Sequence, residues 1–365
     1  MQTELIMKKI TSFIISICAV FSLFPCGAGC GSDGHSREFE NIILVIGDGM
    51  GENHILNAID YYNLATPSFM ADQQGYIITD SLSGTTDSAA GGTALATGTK
   101  VFNGSVAQHD GVDLQRITDI AKAAKMKTGV VTTDTLLGAT PSAFSAHALN
   151  RSDEDDILTT QATSKIDLLL GQYSGKYQYY EDYFLDEKYT IVSTEDDLQA
   201  NKNKKKLIGH FKEIASEYIP GNADDFQLKE MTQFAVEYLE NKNGFFLMVE
   251  GAYIDKHSHS NAFEQAMAEM RSLIDTLEYL YNYAADGKTA IFFTADHETG
   301  GLKRLESDTE NYYSLYTSTD HTSTNVPLFV KNYAFDVQNF GYAAGQIPQN
   351  TVVFEACKSI IQGNK

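Results

Sequence analysis

The sequence predicts an α/β sandwich with a mostly parallel central sheet, and three observations carry that reading. The order strand, loop, helix, strand recurs along the chain. The segments 41–46, 128–133, 245–249 and 289–294, the first, third and fourth of them apolar runs and the second centred on Val130 and Val131, read as strands buried on both faces. Between the last two runs Phe263, Ala266, Met270, Leu273, Leu277 and Leu280 recur at helical spacing on a segment reaching Ala285. That stripe is the core face of a long amphipathic helix.

The chain has 365 residues, 43% of them apolar, ample for a sizeable core. Its net charge of −21 is spread along the chain rather than gathered in a tail. Phosphate backbones are held by Lys and Arg stripes, so this balance argues against a nucleic-acid partner. The only basic run, Lys202 to Lys206, reads as a solvated loop. At the N-terminus Lys8 and Lys9 precede an apolar run from Ile10 to Phe24, too short to span a membrane and suited to a signal peptide, with Met7 as the start. Leu23-Phe24-Pro25-Cys26 resembles a loose lipoprotein cleavage box, which would leave Cys26 lipidated. Residues 1–25 are therefore expected to be a signal peptide, 26–38 a flexible tether and 39–365 the catalytic domain. Export to the periplasm or the outer membrane follows. Beyond the box only Cys30 and Cys357 remain, at opposite ends of the chain, so no disulfide framework holds this fold.

Taken in order, the run 41–46 stops at Gly47-Asp48-Gly49-Met50-Gly51, which puts Asp48 at the carboxyl end of a strand, where open α/β sheets carry their functional groups. The small-residue stretch from Thr85 to Thr99 surrounds Asp87 and Ser88. Ser88 either N-caps the helix that follows or is a nucleophile, which needs a base, a lowered pKa or a metal ion. A helix over residues 114–125 leads into the strand 128–133, followed by Gly138-Ala139-Thr140-Pro141 and by Arg151. On their own Thr140 reads as a helix-start cap and Arg151 as a surface residue. Residues 152–243 are Tyr-rich and charged, with a strand at 189–193, a helix at 228–239 and no chemistry assigned. The run 245–249 then delivers Glu250, followed by Asp255 and His259, four apart and so on one helical face. The run 289–294 delivers Asp296 and His297. Asp320-His321-Thr322 precedes an additional strand at 326–330, and a C-terminal helix packs through Val352, Val353, Ala356, Ile360 and Ile361.

Acidic residues thus end three buried strands, with His259, His297 and His321 close by in sequence. So many carboxylates converging on strand termini would stay buried and unpaired unless cations filled the site. Nitrogen and oxygen donors without thiolates suit catalytic zinc, and an all-oxygen set suits magnesium. Six segments, Gly47–Gly51, Thr86–Ala89, Ala139–Pro141, Val249–Lys256, Thr294–Glu298 and His321–Thr322, together resemble the alkaline phosphatase family in the family's own order.

That resemblance implies an alkaline-phosphatase-like three-layer sandwich that hydrolyses phosphate monoesters through a phosphoserine on Ser88, with broad substrate range and an alkaline optimum. It implies two Zn2+ and one Mg2+. Asp255, His259 and His321 would hold one zinc; Asp48, Asp296 and His297 the second, beside Ser88; and Thr140 and Glu250 the magnesium, bridged by Asp48. Arg151 would clamp two phosphate oxygens, and Lys256 would reach the phosphate through water, as in bacterial relatives. A homodimer is also implied. One departure stands out: two residues before Thr140, relatives carry Asp or His, and this chain has Gly138. Lys256 is therefore expected to lack an acidic partner, the magnesium site to be looser and the pH optimum more alkaline. His35, His54, His109, His147 and His210 read as structural or surface residues, and His257 as an exposed residue near the site. The rivals are a phosphodiesterase of the same superfamily and a surface lipoprotein that binds metal or phosphate without turnover.

Overall fold

The computed structural model describes residues 39–212, 226–307 and 309–363. The expected signal peptide, Cys26, Cys30, His35 and nearly all of the tether lie outside them. In chain order the strands are β1 (Asn41–Gly47), β2 (Gln73–Ile77), β3 (Gln108–His109), β4 (Val112–Asp113), β5 (Lys127–Thr135), β6 (Leu168–Gln172), β7 (Thr190–Val192), β8 (Leu207–Phe211), β9 (Phe245–Gly251), β10 (Thr289–Thr294), β11 (Glu298–Thr299), β12 (His321–Thr322) and β13 (Val326–Lys331). A nine-stranded sheet has the order β2-β13-β10-β1-β9-β5-β6-β8-β7. From β10 across to β7 every pairing is parallel. β13 returns antiparallel to β10, and β2 pairs antiparallel with β13. No α-helix separates β10 from β13 to provide a parallel crossover.

The four segments read as buried strands form the adjacent strands β10, β1, β9 and β5, which are covered on both faces. Successive side chains point to opposite faces, and in β10 both Phe292 and Phe293 are fully buried, the first beside Tyr333, the second between Phe69 and Phe329. Helices accordingly flank a large, mostly parallel sheet. The registers align Thr132 with Glu250, Glu250 with Ile46 and Ile46 with Thr294. β5, β9, β1 and β10 therefore release their chains side by side at one edge, which is what gathers the residues that follow them.

Helices Leu228–Leu239 and Phe263–Tyr283 form where the periodicity places them. The expected helix at 114–125 is shorter, Ile117–Ala123, because the Asp119 carboxylate accepts from the Arg116 amide (3.0 Å) and guanidinium (2.9 Å) and starts the helix there. The strand expected at 189–193 is β7. Residues 152–212 hold more order than the sequence showed: helix Glu154–Ala162 leads into β6, β6 and β8 extend the sheet, and helices Glu181–Asp186 and Glu195–Ala200 lie between them. Lys202 to Lys205 are exposed, as a solvated loop requires. Cys357 is buried and free. No helix among the described residues is long and apolar enough to cross a membrane.

Candidate metal centre and nucleophile

Helix Ser88–Thr97 begins at the acidic residue, not at the serine. Asp87 is its N-cap: one carboxylate oxygen accepts from the Ala90 amide (3.0 Å) and the other from the Gly104 amide (3.0 Å), with the Arg151 guanidinium 3.5 Å away. Capping by Asp87 leaves the Ser88 hydroxyl free to turn inward. Its Oγ lies 3.2 Å from His297 Nε2 and 3.4 Å from Asp48 Oδ1. The helix can sit this close to the strand ends because Gly91 has no side chain; a Cβ there would lie 2.8 Å from the Asp296 carbonyl oxygen.

Opposite Ser88 the donors converge. Asp255 and His259 share a face of helix Tyr253–His259, and Asp255 Oδ1 lies 3.3 Å from His259 Nε2 and 3.5 Å from His321 Nε2. The two Nε2 atoms are themselves 3.1 Å apart. Each ring is oriented from behind: His259 Nδ1 donates to the Thr319 carbonyl (2.5 Å) and His321 Nδ1 to the Thr86 carbonyl (2.8 Å). A proton held at Nδ1 leaves the Nε2 lone pair facing the pocket, the arrangement that a hydrogen-bond acceptor behind the ring imposes on ligating imidazoles. His297 follows the same pattern, with Nδ1 3.2 Å from Thr299 Oγ1 and Nε2 3.3 Å from Asp296 Oδ2 and 3.6 Å from Asp48 Oδ1. The His297 and His321 rings stack with centroids 3.6 Å apart.

Two sets have ligand atoms mutually within 4.8 Å: Asp255, His259 and His321, and Asp48, Asp255 and His297. Asp255 thus stands between both sets. Asp296 is adjacent to the second, its Oδ1 accepting from the Gly49 and His297 amides (3.2 and 3.0 Å). Its buried Oδ2 accepts no hydrogen bond, and the fully buried Thr140 Oγ1 likewise has no partner among the described residues. Orphaned buried oxygens are costly, and a bound cation is what these two fit. Glu250 is buried too, accepting from the Thr132 hydroxyl.

The electrostatics agree with a cation site. Burial, then the Asp296, Asp255 and Glu250 carboxylates, pushes Asp48 well above the usual carboxylate range. Glu250 is raised by burial and by Asp134 and Asp296. Burial also pushes Asp255 upward, but its contacts with His259 and His321 outweigh that and hold it well below the ordinary range. His297 is lowered by burial, with Asp296 and Asp255 opposing. Like charges crowded in a dry pocket repel, and divalent ions reverse that balance.

Lys256 departs from expectation. It has an acidic partner, Asp134, whose Oδ1 lies 2.5 Å from Nζ. Asp134 ends β5 and lies far from Lys256 in sequence, so nothing local pointed to it. Other supporting residues were equally invisible: Thr299, whose hydroxyl donates to Asp255 Oδ1 (2.5 Å), and Glu298, which accepts from the Gly301 and Leu302 amides (3.2 and 3.1 Å) and from Thr322 Oγ1 and so pins the β11–β12 ribbon that carries His321. His54 is structural as expected, but not remote: it accepts from the Gly51 amide at Nδ1 (3.1 Å), and its Nε2 lies 3.0 Å from Ser258 Oγ beside His259. Burial lowers its pKa to about 4, which keeps it neutral. Buried His210 is likewise lowered to about 4. His257 is half-buried and its ring packs 5.7 Å from Tyr253, so it is less exposed than expected.

A serine at a helix start faces imidazole and carboxylate donors at the carboxyl edge of a parallel α/β sheet, a donor set able to hold divalent metal ions. The chain matches the alkaline phosphatase family over residues 39–171 and 171–350. Among curated relatives, alkaline phosphatase 4 of Bacillus subtilis is 32% identical over 301 residues, covering 76% of this chain and 65% of its own length; alkaline phosphatase 3 of the same organism is 29% identical over 342 residues, covering 84% and 74%. Among solved structures, alkaline phosphatase from the Antarctic bacterium TAB5 is 27% identical with a TM-score of 0.75, covering 90% of this chain and 99% of that one. The chain belongs to the alkaline phosphatase family of phosphate-ester hydrolases.

Proposed function

We propose that the chain is an alkaline phosphatase that hydrolyses phosphate monoesters through a phosphoserine on Ser88, with broad substrate range and an alkaline optimum. The observation that carries this reading is Ser88 Oγ facing His297 Nε2 and Asp48 across a pocket lined by the orphaned Asp296 oxygen. Two Zn2+ and one Mg2+ suit the donors: Asp255, His259 and His321 for one zinc, Asp48, Asp296 and His297 for the second, Glu250, Thr140 and Asp48 for magnesium. A histidine-to-glutamate variant of TAB5 alkaline phosphatase with Mg bound in its M3 site, 28% identical to this chain with a TM-score of 0.76, supports the third. When bound, such ions acidify the serine hydroxyl and neutralise charge on the phosphoryl group and leaving oxygen.

The chain's own residues do the rest. Ser88 Oγ attacks phosphorus, the ester P–O bond breaks and the alcohol leaves; water then attacks the phosphoserine and inorganic phosphate departs. Arg151, half-exposed and steadied by Asp87, offers a planar fork for two phosphoryl oxygens. Because these groups grip the phosphoryl moiety alone, selectivity for the alcohol is low. The test is p-nitrophenyl phosphate against its bis ester, for wild type, Ser88→Ala and EDTA-treated protein. Monoester turnover that falls about 10⁴-fold in Ser88→Ala and vanishes with EDTA supports the reading. Preference for the bis ester would mark a phosphodiesterase, and binding without turnover a non-catalytic lipoprotein. Export, a signal peptide over residues 1–25, a lipid anchor at Cys26 and a homodimer belong to the same proposal. Fractionation of cells, mass spectrometry of the mature N-terminus and sedimentation test them.

A further inference from the structure

The resemblance to alkaline phosphatases implies an Asp or a His two residues before Thr140, the proposed magnesium ligand, and this chain has Gly138. The space is not vacant. A Cβ built on Gly138 would lie 2.5 Å from Asp134 Oδ2 and 3.1 Å from its Cγ. Asp134 therefore occupies the volume a side chain at 138 would take, reaching it from one turn earlier. Its placement is fixed by the backbone: the Asp134 amide donates to Thr132 Oγ1 (2.9 Å), and Asp134 Oδ1 accepts from the Thr135 amide (2.7 Å). The Thr132 hydroxyl in turn donates to Glu250. The end of β5 thus steadies both the Asp134 carboxylate and the buried glutamate.

On its other side Asp134 Oδ1 holds Lys256 Nζ at 2.5 Å, and the ammonium lies 4.4 Å above the Tyr253 ring, whose hydroxyl is anchored on Gln172 (2.7 Å). A flexible four-carbon stem is thereby restricted from two sides one residue beyond Asp255. We propose that Asp134 is the positioning residue for Lys256 in phosphate binding, and that Gly138 exists in this chain to admit the Asp134 side chain. This rests on the phosphatase reading, since Lys256 needs a phosphate to meet.

Holding a half-exposed lysine by one charge-assisted contact supports an effect of about fivefold. In the metal-loaded protein Asp134→Asn should weaken binding of inorganic phosphate, read by calorimetry, about fivefold and raise KM for p-nitrophenyl phosphate to match, with kcat within about twofold. Lys256→Ala should act similarly, and the double variant should show no further loss, because the first acts through the second. The reciprocal exchange tests the space argument: Gly138→Asp alone should lower Tm and phosphate affinity, whereas Gly138→Asp combined with Asp134→Gly should regain the affinity. Phosphate affinity unchanged in Asp134→Asn, or losses that add in the double variant, would overturn the proposal. So would Gly138→Asp being equally tolerated in both backgrounds. Failure of the wild type to hydrolyse the monoester would instead overturn the phosphatase reading, a different result from a change in phosphate affinity.

Discussion

Thr299 shows how much of the site depends on groups that are not ligands. Its hydroxyl gives its proton to Asp255 Oδ1 at 2.5 Å and lies 3.2 Å from His297 Nδ1. One side chain therefore orients a carboxylate from one proposed set and an imidazole from the other. Replacing it with valine keeps the shape, removes the donor and leaves the His297 Nδ1 proton without an acceptor. Losing a hydrogen bond that orients a metal ligand typically costs about 10–100-fold in metal affinity. Thr299→Val should show such a loss in zinc competition against a chelator, with a smaller effect on the Tm of metal-free protein; equal zinc affinity in the two proteins would show that Thr299 only packs. Arg151 gives a second prediction. The guanidinium fork suits two phosphoryl oxygens, and a lysine cannot reproduce it. Arg151→Lys should raise KM for p-nitrophenyl phosphate and weaken phosphate inhibition about tenfold, and unchanged inhibition would assign Arg151 to the Asp87 ion pair alone.

At the scale of elements, helix Ser88–Thr97 lies wholly buried against the strand ends, and its small residues set the approach distance. A methyl group at Gly91 would meet the Asp296 carbonyl at 2.8 Å and its Cβ at 3.0 Å. Neither neighbour is a flexible side-chain end, so the helix must retreat and carry Ser88 Oγ away from His297. Gly91→Ala should therefore lower kcat by about 10²-fold and lower Tm, although alanine is the better helix former; full activity would mean the helix is free to slide. The same scale separates what the sequence revealed from what it hid. β1, β9 and β10 are legible because a strand buried on both faces is a continuous apolar run, and the proposed ligands follow directly after such runs. β6 and β8 are as short as β2, and the two α-helices between them span six residues each, too few turns for a period to emerge. The proposed ligands are legible as motifs. Their supports are not, because Asp134, Thr299 and Glu298 reach their partners only through the fold.

Across the whole molecule, one buried carboxyl that holds no proposed metal ties stability to pH. Glu269 sits on the core side of helix Phe263–Tyr283, where it accepts from Thr133 Oγ1 at 2.9 Å; that hydroxyl in turn accepts from the Ala252 amide at 2.9 Å. Burial raises its pKa to about 7 from an ordinary value of 4.5, with the Thr133 hydroxyl and the Lys256 charge opposing the rise. A carboxyl whose folded pKa is raised binds its proton more tightly folded than unfolded. Its contribution is thus complete below about pH 4.5 and is lost as pH climbs through about 7. The loss amounts to about 3 kcal/mol, and it is fully incurred where an alkaline phosphatase works. Glu269→Gln keeps the acceptor for Thr133 and removes the charge. The Tm difference, variant minus wild type, should be near zero at pH 5 and rise to several degrees in favour of the variant at pH 9, with phosphate affinity retained. A difference that is the same at both pH values would mean Glu269 is solvated or paired in solution, and the tension between stability and alkaline operation would then reside in the metal-site carboxylates instead.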